Sequence, residues 1–168
     1  MIRSVDGKVP KIAGSAFVSE AAYVVGDVEI GERSSVWPGA VIRADIAGIR
    51  IGANVVVEDK CSLHADTSME IGDNVILGHG AVLHDCRVGS RVLIGMNATA
   101  LKHSEIGDNC IIGAGAVVGS GQKVPPGSVA VGVPARIVGR AGAQLEGAEN
   151  GDWEDYPNLA ERYRQAGL

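Results

Sequence analysis

Aliphatic residues return every six positions along most of this chain. The series runs Ile12, Val18, Val24, Ile30, Val36, Ile42, then resumes after "AGIR" as Ile51, Val57, Leu63. Two extra residues near Met69 shift it to Ile71, Leu77, Leu83. One deletion then leads to Val88, Ile94, Ala100, Ile106, Ile112, Val118, Val124, Ala130. A phase of six is too long for a helix and too regular for independent hairpins. It predicts a solenoid in which each hexapeptide supplies a short strand and a corner. Gly or Asn at the corner takes the left-handed backbone that other residues resist. Three sides close a coil of about eighteen residues, and successive coils stack at about 4.8 Å, as strands in a sheet do.

The "IGxN" form at Ile51, Ile71 and Ile106 falls on one side when the shifts are counted, which stacks Asn54, Asn74 and Asn109 along one edge. Composition agrees with a narrow, uniform interior. The chain has 24 glycines, well above the usual share of roughly 7%, and only 4% aromatic residues. Val, Ile, Leu and Ala must therefore fill the core. Cys61, Cys86 and Cys110 form no CxxC and read as small buried apolar residues in a reducing compartment. A formal charge of −5 gives no general attraction to nucleic acid or anionic membrane. No apolar run is long enough to span a membrane, and "MIRSVDGKVP" lacks the apolar centre of a signal peptide, so a cytoplasmic location is expected.

The expected fold class is an all-β solenoid. Residues 1–140 form the solenoid domain, and 141–168 form a linker and a C-terminal helix that packs on it. The linker is "AGAQLEGAENG". The helix is "DWEDYPNLAERYRQAG", with Pro157 suited to its first turn and Gly167 to its end. Trp153, Tyr156, Ala160 and Tyr163 share one helix face, which packs back on the prism or on a neighbouring subunit.

The register also sorts the histidines. His64 and His84 each follow the aliphatic residue of the same side, twenty positions apart: one coil plus the two inserted residues. They stack, near enough to ligate one ion. Arg43 lies one coil before His64, with Asp45 two residues on. His79 stacks instead over Asp59, on another side of the same layer. A single prism has difficulty bringing His79 to the His64/His84 column, whereas a neighbouring prism around a threefold axis can do so. Three imidazoles with an open fourth position are the ligand set of catalytic zinc, which lowers the pKa of bound water to about 7. His103 has no such partner and reads as a corner or surface residue.

The residues "IRAD", "VVEDKCSLH", "LGHGAVLHDC" and "GMNA" resemble the γ-class carbonic anhydrases and their relatives among hexapeptide-repeat proteins. The resemblance implies a left-handed parallel β-helix, against the usual right-handed crossover. It implies a homotrimer with three intersubunit metal sites, His64 and His84 coming from one subunit and His79 from the next, and CO2 hydration to bicarbonate as the reaction. Zn2+ is the expected ion, although imidazoles also accept Fe2+ or Co2+. Arg43 and Asp45 match the family's Arg-x-Asp, an intersubunit ion pair beside the site. Asp59 matches the aspartate of Asn-x-Gln-Asp, and Tyr156 and Asn158 resemble polar helix residues that approach the metal in some members. The chain also departs from the pattern. Val56 and Glu58 replace that Asn and Gln, Ile46 stands where an archaeal member has glutamate, and "ADTSME" replaces a long acidic loop. The last two of these differences remove carboxylates linked to proton export, so fast turnover needs another route, through Glu58 or buffer. Two other functions compete: a catalytically weak, metal-stabilised trimer serving as scaffold or accessory, and a hexapeptide acyltransferase using one histidine as general base.

Overall fold

A computed structural model describes residues 1–142 and 152–168, with the helix side chains described from Asp155 onward. The chain winds into a left-handed parallel β-solenoid of about seven turns. Each hexapeptide series becomes one column. Ile12, Ile30, Ile51, Ile71, Val88, Ile106 and Val124 pair in register down the first face. Val18, Val36, Val57, Leu77, Ile94, Ile112 and Ala130 do so down the second. Val24, Ile42, Leu63, Leu83, Ala100 and Val118 form the third.

These columns point inward and are buried almost throughout. Ile12 and Val18 are only partly covered, because no earlier coil lies over them on those faces. On the third face the short strand Ile2–Arg3 pairs beside Val24 and supplies part of the missing coil. Small residues fill the narrow interior just before each column: Ala40, Cys61, Ala81, Ala98 and Ala116 are all fully buried ahead of the third-face strands. Cys61 thus occupies an alanine position, and all three cysteines are buried free thiols, as expected.

The corners separate into tight and wide ones. Asn54, Asn74, Arg91 and Asn109 turn one edge with φ of 54–56°. Asn54 Nδ2 donates to Asn74 Oδ1 at 3.1 Å, and Arg91 Nε donates to Asn109 Oδ1 at 2.7 Å. The expected asparagine column is therefore real but carries Arg91 between its members. His103 is another left-handed corner, with φ 61°, in keeping with its reading as a structural residue. Between the third and first faces the early corners are wide. Strands Tyr23–Ile30 and Val41–Ile51 run around them continuously, which merges two faces into one twelve-stranded sheet. Gly26 makes this possible: its φ is +89°, and a Cβ there would collide with the Ala44 carbonyl.

The three outer surfaces differ in chemistry. The first carries alternating charges, with Lys11 bonded to Glu29 at 3.0 Å, Arg87 to Glu70 at 2.9 Å and Lys123 to Glu105 at 3.1 Å. Such exposed pairs stabilise little individually but suit a solvated face. The second presents Phe17, Trp37, Val56 and Ile76, and the helix Asp152–Gln165 (α1) covers them with Tyr156, Ala160 and Tyr163. Trp37 meets Tyr163 edge-on at 5.1 Å between ring centroids, and Arg164 Nη2 donates to the carbonyls of Ser15 and Ala16. The third leaves Val41 and Val82 more than a third exposed beside the histidines.

The helix starts at Asp152, as expected, which puts Pro157 beyond the first turn. Pro157 lies in its second turn, where it forfeits one backbone hydrogen bond, while Tyr156 just before it docks on Trp37. Gly167, with φ +74°, ends the helix as expected. Most of the expected linker and the Trp153 side chain lie outside the described residues. No helix among the described residues is long and apolar enough to cross a membrane.

Candidate metal centre

The third-face strands place Arg43, His64 and His84 in one register column. Each follows an inward-pointing aliphatic residue, so each side chain emerges at the wide corner. The His64 and His84 rings lie 5.1 Å apart between centroids. His64 Nε2 is buried and has no hydrogen-bond partner. Asp45 Oδ1 lies 3.4 Å from it and Asp66 Oδ1 3.6 Å. His84 Nε2 faces Asp66 Oδ2 at 3.3 Å.

Arg43 and Asp45 bind each other within the chain, Nη1 lying 2.9 and 2.7 Å from the two carboxylate oxygens. That hydrogen bond holds the Asp45 carboxyl below its usual range, so it stays ionised beside His64.

His79 belongs to a second cluster, at the corner between the second and third faces. Its Nδ1 lies 3.0 Å from Asp59 Oδ2 and 3.5 Å from Glu58 Oε2, and its side chain is about half exposed. Glu58 is buried, and the Tyr156 hydroxyl donates to its Oε1. Among the described residues, ligand-capable side chains thus fall into two groups: His64 with Asp66 and His84, and His79 with Glu58 and Asp59. One chain does not join the three histidines. Tyr156 reaches the second group through Glu58, whereas Asn158 stands on the exposed side of α1.

Sequence reasoning missed Asp66, Asp85 and Lys102. Lys102 Nζ lies 2.5 Å from Asp66 Oδ2, an ion pair that holds the Asp66 carboxyl below its usual range. Asp85 is buried, which opposes its ionisation, but amide donation from Thr67 and Asp66 outweighs burial and lowers its pKa. A signal was present: Asp66 follows His64 by two positions, as Asp45 follows Arg43 one coil earlier.

Comparison with known proteins fits this geometry. Residues 68–99 and 85–120 match the model of the bacterial transferase hexapeptide family (six repeats). A probable carbonic anhydrase of Methanocaldococcus jannaschii is 48% identical over 129 residues, covering 76% of this chain and 81% of that protein. The mitochondrial gamma carbonic anhydrase 1 of Arabidopsis thaliana is 34% identical over 170 residues, 96% of this chain but only 62% of the longer plant protein. A crystal structure described as a putative acetyltransferase from Bacillus cereus superposes with a TM-score of 0.94 at 36% identity, covering 98% of this chain and 97% of that one. The extent of identity with the archaeal and plant proteins, together with the repeat match, establishes that this chain belongs to the γ-class carbonic anhydrase-like family of hexapeptide-repeat proteins.

Proposed function

We propose that the protein hydrates CO2 as a homotrimer, with one zinc ion per interface held by His64 and His84 of one copy and His79 of the next. The observation that carries this reading is the stacked imidazole pair whose buried His64 Nε2 has no hydrogen-bond partner. A buried polar atom without a partner is costly, and an ion opposite it removes the cost. The donor set fits: imidazoles suit zinc, and also Fe2+ or Co2+. When bound, such an ion acts as a Lewis acid that makes water nucleophilic near neutral pH.

The chain's own residues supply the rest. Asp59 accepts the Nδ1 proton of His79, which leaves Nε2 as the ligating nitrogen and fixes the ring. Tyr156 anchors one oxygen of Glu58, so that the other, beside His79, is positioned to accept a hydrogen bond or a proton from the reacting water. Arg43 and Asp45 hold the wide corner around His64 and are the charged pair that a neighbouring copy would meet. Asn158 enters only as an exposed helix residue that the assembled site could engage. Val41 and Val82, each more than a third exposed, give the third face an apolar surface suited to a symmetric partner.

Elemental analysis of freshly purified protein, sedimentation and stopped-flow CO2 hydration test this together. The expected result is a trimer with one ion per chain, and His84→Ala losing both ion and hydration. Hydration unaffected by a chelator would refute it. Acyl transfer is a second reading, supported by the description of the Bacillus cereus structure. It needs a histidine base and no ion, so acyl transfer that persists in chelator would select it. A metal-holding trimer inert at every buffer concentration would select the scaffold role.

A further inference from the structure

The corner Ala65–Met69 is organised by a carboxylate the proposed reaction does not use. Asp85 has a fully buried side chain, and its Oδ1 accepts the amides of Asp66 at 2.6 Å and Thr67 at 2.9 Å. Those two bonds turn the Asp66 carboxylate toward the imidazoles. Its Oδ1 then lies 3.6 Å from His64 Nε2, and its Oδ2 lies 3.3 Å from His84 Nε2. The other Asp85 oxygen is buried without a hydrogen-bond partner, 3.8 Å from His84 Nε2. Among the described residues, the cation that contacts both of these carboxylates is Lys102, whose Nζ lies 2.5 Å from Asp66 Oδ2 and 3.6 Å from Asp85 Oδ2.

Asp66 and Asp85 therefore share one ammonium beside the paired imidazoles, while Asp45, 3.4 Å from His64 Nε2, is held by Arg43; a buried carboxylate oxygen without a donor calls for positive charge opposite it. A divalent ion between the imidazoles would want the same Asp66 oxygens and would repel Lys102. We propose that Asp66 is an additional donor to the ion held by His64 and His84, and that Lys102 is a tethered ammonium competing for that carboxylate. The inference rests on the preceding reading only in taking His64 and His84 as ligands. Lys102 thereby sets how readily the site fills and empties, while Asp85 acts as a positioning residue for the Asp66 corner.

Co2+ titration of the metal-free full-length protein, read by visible absorption and by competition with a chelator, tests this. An ion that takes Asp66 as donor must first displace Lys102 from it, and losing a charge-assisted bond of that kind weakens binding about tenfold. Lys102→Met should therefore bind Co2+ about tenfold more tightly, while Lys102→Arg keeps the wild-type affinity. Asp66→Asn should bind more weakly with a changed absorption band, and Lys102→Met should lose most of its effect in that background. Far-UV circular dichroism checks that each variant is folded. Unchanged or weaker binding by Lys102→Met, or a lysine effect of full size without Asp66, overturns this proposal while leaving the histidine site intact. Loss of Co2+ binding in His84→Ala distinguishes that case; binding indifferent to His84 overturns both readings.

Discussion

Leu63→Ala probes the packing that sets the histidine register. Leu63 is fully buried, with Ile42 paired one coil before it and Leu83 one coil after. His64 is the next residue, so its position depends on this column. Truncating a buried leucine costs about 2–5 kcal/mol, the larger values arising where the cavity cannot collapse. Collapse is restricted here because ladder hydrogen bonds hold adjacent coils about 4.8 Å apart. We therefore expect a loss of about 4 kcal/mol, and a fall in Tm of roughly 8–16 °C for a chain of this size. Urea unfolding followed by far-UV circular dichroism measures it, at fixed protein concentration because assembly adds a mass-action contribution. Val82→Ala is the matched control: Val82 is 39% exposed on the outside of the same face and should cost about 1 kcal/mol or less. A Leu63→Ala loss below about 1 kcal/mol, or equal losses in both variants, would refute the rigid-column reasoning.

Two further outcomes follow from the site and the core. Glu58→Gln removes a negative charge beside His79, so the pH midpoint of CO2 hydration should fall by roughly one unit; an unchanged pH-rate profile would remove Glu58 from the site. Burial pushes the Cys61 and Cys86 thiols up to about 12. Folding therefore favours their protonated forms, and the associated stability, complete below about pH 9, is lost as pH rises toward about 12. Both thiols should resist a disulfide reagent at pH 8 until the chain is unfolded, and urea midpoints should decline above about pH 9. Rapid labelling of the native protein would show that these positions are not closed.

What was legible in the sequence was whatever the period carries. The six-residue phase, corrected for its insertion and deletion, assigns each aliphatic residue to its column and predicts that His84 pairs with His64. It also separates His79 from them, because His79 follows Leu77 on the second face whereas His64 and His84 follow Leu63 and Leu83 on the third. Where the period breaks, reading stopped. The wide corner after Leu63 has no repeat to fix its path, so the arrival of Asp66 between the imidazoles is set by amides bonding to Asp85, a contact made across adjacent coils. Lys102 enters from yet another coil, thirty-six residues from Asp66. Arg91 fills the corner between Asn74 and Asn109 because the coil after the deletion offers "SRV" there. Pro157 misled by one turn, since the anchoring of Tyr156 on Glu58 and Trp37 depends on tertiary contact.

Subunit mixing tests the shared centre most directly. His79→Ala and His64→Ala chains each lack one side of every interface, so neither alone should retain stoichiometric zinc. Refolded together in equal amounts, about one quarter of the interfaces of a cyclic trimer should pair an intact His64/His84 column with an intact His79. The account predicts recovery of zinc and CO2 hydration to about that fraction of wild type. Full zinc occupancy in His79→Ala alone, or no recovery in mixed trimers, would contradict it.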